Sequence, residues 1–280
     1  MRCILLGGDE RQGELAVILR RAGFHSVQLC HKALTPIDLP ALTDELSQLG
    51  SGDLLILPQP ISEKYGRLCL SGISEGISLE KALECVNENV TVCAFRCETK
   101  IKRKRLVLPM ESEEYLAYTS QLTAKALLLH WYHDEEFTLL GKKVLITGYG
   151  RCAKAIAREL KDLGVKVIVS ARSVHQLSDA YMCGFGAVPL ETLYEKSADF
   201  DILVNTIPFQ VLPAAYIGSL SKSVRLYDIA SSPYGFSIET VESLNLYAER
   251  LPGLPGRYYP RLCAQKVYEL IVRNMREAEI

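Results

Sequence analysis

The stretch Val144-Leu-Ile-Thr-Gly148-Tyr-Gly150-Arg-Cys-Ala153 constrains this chain more than any other. A short apolar run reads as a buried strand, a Gly-x-Gly-x-x-Ala turn follows it, and a helix opens directly afterwards. Gly148 permits the tight turn, Gly150 lets backbone amides approach a pyrophosphate, and Ala153 keeps the helix close to the sheet. The helix start adds unpaired N–H donors and the positive end of its dipole. Together these predict a dinucleotide held on Gly148, Tyr149, Gly150, Arg151 and Cys152. A tight strand-to-helix turn that binds nothing is the plainer alternative.

An NAD-specific unit usually presents Asp or Glu about twenty residues further on. Here the next strand ends Val169-Ser170-Ala171-Arg172-Ser173, without a carboxylate. Arg172 suits a 2′-phosphate, and Ser170 or Ser173 can donate hydrogen bonds, so NADP is expected in preference to NAD. The following strand finishes at Asn205-Thr206-Ile207-Pro208, and the one after it at Asp228-Ile-Ala-Ser231. Ligands gather at the carboxyl ends of such strands, which places Asn205 to Pro208 on the cofactor side. Asn205 and Asp228 are the catalytic candidates, Asp228 being the first choice for a base-like role. Turn formation or helix capping explains either residue equally well.

From Lys143 onwards strands alternate with helices: Val144–Thr147, a helix over Ala153–Leu163, Val165–Ser170, a helix near Leu177, Ile202–Asn205, Arg225–Ile229 and a strand near Leu246. That alternation implies an α/β class and a doubly wound parallel sheet of Rossmann type. The first half has its own strand, Gly7-Gly8 turn and helix, then short apolar runs near Val27, Asp53–Leu57 and Val90–Phe95, so it is a smaller α/β unit. Glu111–Tyr132 has neither Gly nor Pro and reads as a long helix joining the two. The expected domains are residues 1–118 on the substrate side and 119–261 binding the nucleotide, with a terminal helix in 262–280 packing back on the first.

With 280 residues and 48% hydrophobic content the chain can bury two cores, and 32 basic against 33 acidic residues create no field for nucleic acid or an anionic membrane. The apolar run at the N-terminus is too short for a signal peptide, and no stretch approaches the roughly 20 apolar residues of a membrane helix, so a cytoplasmic protein is expected. Nine scattered cysteines suit reduced thiols. Cys93 and Cys97 lack a second ligand pair, so no metal is expected. The run Lys100-Ile-Lys-Arg-Lys-Arg105 reads as an exposed edge strand or loop. His130 and His133, beside Asp134 and Glu136, read as a solvated helix end.

Several segments in one order resemble the dipicolinate synthase family, in its NAD(P)-binding, dehydrogenase-like component. These are Gly7-Gly8-Asp9-x-Arg11-Gln12, Gly148-Tyr-Gly150-Arg151, Ala171-Arg172, Asn205-Thr-Ile-Pro208, Asp228-x-Ala-Ser231-x-Pro233 and Pro252-Gly-Leu-Pro-Gly256. The resemblance implies a flavodoxin-like first domain and NADP-dependent oxidation of a dihydro- or hydroxytetrahydro-dipicolinate to pyridine-2,6-dicarboxylate during sporulation. It also implies a second, flavoprotein-like subunit; a homo-oligomer is expected besides. Two substrate carboxylates call for arginines: Arg11, with Gln12 beside it, Arg257 and Arg261 are the substrate-binding candidates.

The chain departs from the family at two places. A Pro-Thr-Ala-Glu-Gly segment is replaced by Tyr118-Thr-Ser-Gln121-Leu122, and small residues after Gly256 become Tyr258 and Tyr259. Two other functions fit the same architecture. One is a non-catalytic NADP-binding scaffold or sensor subunit. The other is a 2-hydroxyacid dehydrogenase, which needs a carboxylate-paired histidine late in the chain, whereas the last histidine here is His175.

Overall fold

Arg2–Leu6 forms the first strand, β1, where Cys3, Ile4, Leu5 and Leu6 are wholly buried; Gly7 and Gly8, both at positive φ, end it. The computed structural model describes residues 1–30, 37–59, 63–64, 67–68, 70–71, 77–95, 101–134, 137–194 and 199–277. Two units divide it, Met1–Leu116 with Tyr259–Ile280, and Ala117–Tyr258. Cys97, Lys100 and Glu136 lie outside the described residues.

In the first unit β1 is followed by α1 (Glu10–Arg21), β2 (His25–Leu29), α2 (Leu39–Ser47), β3 (Leu54–Ile56), a two-residue pair β4 (Glu63–Lys64) and β5 (Arg67–Leu68), α3 (Leu79–Glu84), β6 (Thr91–Cys93), β7 (Leu106–Val107) and the start of α4 (Glu113–Tyr132). The parallel sheet runs β2-β1-β3-β6-β7, the flavodoxin-like order. Successive side chains on a strand face opposite ways, so each strand feeds two cores. Ile4, Leu6, Leu55 and Val92 pack with α2 and α3, while Cys3, Leu5, Leu54 and Ile56 pack with Leu15 and Leu19 of α1. The last helix, α11 (Pro260–Glu277), buries Cys263, Ala264, Val267 and Ile271 in that second core and lies against α1. The basic run leads into β7 as a loop, and Arg103 donates to the carbonyls of Val86 and Asn87 just beyond α3.

The second unit continues α4 and then runs β8 (Lys143–Thr147), α5 (Arg151–Asp162), β9 (Lys166–Ala171), α6 (Val174–Met182), β10 (Gly186–Pro189), α7 (Leu190–Leu193), β11 (Ile202–Asn205), α8 (Ala214–Ser219), β12 (Arg225–Asp228), α9 (Ile238–Ser243), β13 (Tyr247–Arg250) and α10 (Leu254–Tyr258). Its six parallel strands are ordered β10-β9-β8-β11-β12-β13, the doubly wound order of dinucleotide-binding sheets. α5 buries Ala153, Ile156, Ala157 and Leu160, a spacing that lays one stripe on the sheet. The strand order reverses between β8 and β11, and the turns that follow those two strands shape the site.

Candidate functional site

At the end of β8, Gly148 has φ +89°, a conformation that disfavours any side chain. A Cβ there would also lie 2.6 Å from Thr206 Oγ1, so the turn after β11 packs directly on it. Three strand ends are tied together at this point. Gly148 N donates to Ser170 O at 2.7 Å, and Thr206 donates to Thr147 O from both its N–H (3.1 Å) and its hydroxyl (2.7 Å).

Gly150 is the N-cap of α5, with no side-chain cap, and a Cβ on it would meet nothing within 4 Å. The first turn of α5 carries no acidic residue. Amide donors therefore face open space at the positive end of a twelve-residue helix, as an anion requires. Arg151 is exposed; Cys152 is half-buried, with its Sγ 3.6 Å from Ser120 Oγ. The Tyr149 ring is buried against Phe185, so only its backbone faces this space. Beyond β9, Ala171 is buried while Arg172 and Ser173 are exposed; Ser173 Oγ caps α6 by accepting from Gln176 N. Ile207 is half-buried and Pro208 exposed. The residues present fit a dinucleotide: a backbone cradle, a helix start free of carboxylates, and a cation at the strand end where the 2′-substituent of the ribose belongs.

Asn205 and Asp228, the expected catalytic pair, both have 0% exposure. Thr147 Oγ1 donates to Asn205 Oδ1 at 2.7 Å, and Asn205 Nδ2 donates to Asp228 Oδ1 at 2.8 Å. Asp228 also accepts from Ala230 N (3.1 Å) and Gly235 N (2.7 Å). Gly235 has to be glycine here, because a Cβ would fall 2.3 Å from Asn205 Cγ. Burial pushes the Asp228 carboxyl above the ordinary carboxylate range, against the downward pull of its Asn205, Gly235 and Ala230 donors. The network braces the turns after β11 and β12 from below.

In the first unit, Asp9 caps α1 and grips Arg11 with both oxygens, Nη2 to Oδ2 at 2.5 Å and Nε to Oδ1 at 3.0 Å. Burial works against the guanidinium charge, but pairing with Asp9 outweighs it and holds Arg11 above its ordinary range. Gln12 was expected beside the substrate, yet it has 0% exposure and serves the turn itself. Its Nε2 donates to Leu6 O (3.3 Å) and Leu57 O (2.9 Å), and its Oε1 accepts from Gln59 N (2.9 Å). Gly8 makes room for that fold-back, since a Cβ on it would overlap Gln12 Oε1. Around Arg11 stand Tyr115, pushed up to about 12 by burial, and the buried Cys263, pushed up to about 11. Arg257 on α10 and Arg261 on α11 are exposed. Of the departures from the family pattern, Gln121 is exposed and Leu122 buried within α4, while Tyr258 and Tyr259 are half-buried.

One arrangement escaped the sequence reading. His130 is no solvated helix end: Nδ1 lies 2.8 Å from Tyr258 Oη and Nε2 2.9 Å from Glu249 Oε2, whereas His133 is exposed.

Residues 116–214 match the family described as D-isomer specific 2-hydroxyacid dehydrogenase, NAD binding domain. A solved structure of the dipicolinate synthase A-type subunit from Bacillus halodurans superposes with a TM-score of 0.80 at 25% identity, covering 98% of this chain and 97% of that one. The sequence is also 30% identical over 179 residues to the A-type subunit of dipicolinate synthase in Bacillus subtilis strain 168. The chain is similar to the dipicolinate synthase A-type subunits. That sequence match spans 63% of this chain and 60% of the curated relative, less than two thirds of its length. The solved dipicolinate synthase structure from Bacillus subtilis shares the fold, with a TM-score of 0.78 at 23% identity over 99% of this chain and 97% of that one. Like these relatives of known structure, the chain has two parallel sheets with alternating helices, and its second unit is an NAD(P)-binding domain of the dehydrogenase kind.

Proposed function

We propose that the chain is an NADP-dependent oxidoreductase that converts a dihydro- or hydroxytetrahydro-dipicolinate to pyridine-2,6-dicarboxylate in the cytoplasm of a sporulating cell, together with a second, flavoprotein-like subunit. The observation that carries this is the open amide cradle at Gly150, on a helix whose first turn has no carboxylate, in a relative of dipicolinate synthase. When bound, the nicotinamide supplies the hydride acceptor.

In this reading the amides after Gly148 and Gly150 hold the pyrophosphate, and Arg172 with Ser173 binds the 2′-phosphate. Residues 1–118 form the substrate-side domain and 119–261 the nucleotide-side one. Arg11, Arg257 and Arg261 bind the two substrate carboxylates, since the guanidinium fork matches a carboxylate in two parallel hydrogen bonds. Gln12 keeps the turn that presents Arg11. Asn205 and Asp228 hold the turns after β11 and β12 in place, and a proton-accepting role for Asp228 requires those turns to move. The reaction removes a hydride and a proton from the dihydro ring, after loss of water where the substrate is the hydroxytetrahydro form.

A second reading, a non-catalytic NADP-binding subunit, draws on the enclosure of Asn205 and Asp228. One assay separates the two. The purified chain, with and without a flavoprotein-like second subunit, is given NADP and freshly generated dihydrodipicolinate. The enzyme reading predicts equal amounts of NADPH and pyridine-2,6-dicarboxylate. Binding of NADP with no turnover under either condition overturns it in favour of the second reading.

A further inference from the structure

The end of α4 lays His130 on the sheet face beside β12 and β13. Glu249 is on β13, in register with Tyr227 of β12. The carboxylate has no proton to give, so His130 Nε2 carries hydrogen and donates to it at 2.9 Å. Tyr247 Oη donates to the same Glu249 oxygen at 3.2 Å. On the other side of the ring, Nδ1 meets Tyr258 Oη at 2.8 Å. Edge-on contacts with Tyr227 and Tyr258, at 6.5 and 6.2 Å between ring centres, fix the imidazole plane.

Tyr258 is the last residue of α10, a helix of five residues that is too short to be stable alone. Its buried anchor is Leu254 at one end; the phenol on His130 is the anchor at the other. A phenol both donates and accepts, so the contact survives either charge state of the imidazole: neutral Nδ1 accepts from O–H, and protonated Nδ1 donates to the oxygen. Burial and the Glu249 charge both favour the protonated phenol. Arg257 is the neighbour of Tyr258 on that helix, exposed and held by the same anchor.

We propose that Glu249 and His130 are positioning residues: through Tyr258 they hold α10 so that Arg257 meets a substrate carboxylate. The proposal rests on the dicarboxylate reading above, in which Arg257 is a ligand.

The test is calorimetric titration of NADPH-loaded protein with pyridine-2,6-dicarboxylate, for wild type, Tyr258→Phe, His130→Asn, Arg257→Ala and the double variant Tyr258→Phe/Arg257→Ala. NADPH affinity is measured on each as the check on folding. Losing one hydrogen bond of ordinary strength corresponds to about a fivefold loss. Tyr258→Phe and His130→Asn are therefore expected to weaken the dicarboxylate about fivefold and leave NADPH affinity within twofold. In the Arg257→Ala background, Tyr258→Phe is expected to change nothing further. An additional loss in that background overturns the proposal, because the phenol then acts by another route. If Tyr258→Phe weakens NADPH as much as the dicarboxylate, the role is one of general stability and the proposal falls. Wild-type binding of the dicarboxylate with no effect of Arg257→Ala overturns the proposal while sparing the nucleotide reading; no wild-type binding of the dicarboxylate overturns the dicarboxylate reading itself.

Discussion

Asn205 Nδ2 donates to Asp228 Oδ1 across 2.8 Å, joining the last residues of two neighbouring strands in a site with no solvent exposure. Every oxygen of Asp228 faces an N–H, so replacing it by Asn turns one acceptor into a donor against another donor. A buried unsatisfied amide costs about 1–3 kcal/mol. Asp228→Asn is expected to lose stability of that order in urea unfolding.

The pH dependence has a definite sign. The Asp228 carboxyl is raised in the folded state, so its contribution is fully present below the ordinary carboxylate range and is lost as pH rises through the raised value. Asp228→Asn has no such titration. Its deficit relative to wild type is expected to be larger at acidic than at neutral pH, measured by urea unfolding at both. A deficit that grows towards neutral pH contradicts this.

Gly148 and Gly150 look alike in sequence but should fail in different ways. Gly148→Ala forces φ +89° on a residue with a Cβ and drives that Cβ to 2.6 Å from Thr206 Oγ1. It is expected to lower the melting temperature and nucleotide binding together. Gly150→Ala meets nothing within 4 Å, at φ −83°, and is expected to stay within about 0.5 kcal/mol of wild-type stability. Its methyl group occupies the space of the pyrophosphate, so NADPH affinity should fall at least about tenfold, a loss of about 1.4 kcal/mol. Thermal melts and NADPH titrations on both variants check this contrast.

Arg172 is exposed at the end of β9. Arg172→Ala should leave folding unchanged, weaken NADPH by roughly 10- to 100-fold, as expected for charge-assisted hydrogen bonds, and spare NADH. Equal weakening of the two nucleotides would assign Arg172 to a part of the cofactor that they share.

Asp9 competes for the guanidinium fork of Arg11. Asn caps a helix as well as Asp, so Asp9→Asn should keep α1 intact while releasing Arg11. Pyridine-2,6-dicarboxylate is expected to bind several-fold more tightly to Asp9→Asn, about fivefold for a partly exposed ion pair worth about 1 kcal/mol. Arg11→Ala should weaken it. Calorimetry that finds both variants equally weakened would show that Asp9 holds Arg11 in its binding position.

The strand–glycine–helix turn at Gly148 was legible because strand, glycines and helix start fall within Val144–Ala153, where local spacing encodes the geometry. The alternation of strands and helices after Lys143 was legible for the same reason. Strand β10 was missed, since it opens on Gly186 and is only half-buried. Gln12 reads as a substrate ligand beside Arg11 and Asp228 as a polar residue at a strand end, but burial depends on what packs above them, and Gly8 and Gly235 create their niches by what they lack. His130 is the clearest limit. Its partners are 119 and 128 residues away, and only the parallel pairing of β12 with β13 brings Glu249 beneath it. A 2-hydroxyacid dehydrogenase needs its carboxylate-paired histidine late in the chain; here the carboxylate is late and the histidine early.

Titrating the purified chain with NADPH and NADH by fluorescence, with and without pyridine-2,6-dicarboxylate, decides whether the Gly148 turn holds a dinucleotide beside a dicarboxylate site. NADPH is expected to bind more tightly than NADH and the dicarboxylate to tighten it further, in which case NADPH tightens the dicarboxylate by the same factor, since coupling between two sites is reciprocal. Binding of neither nucleotide would overturn the NADP reading and leave the Gly148-Tyr-Gly150 turn a purely structural connection between β8 and α5.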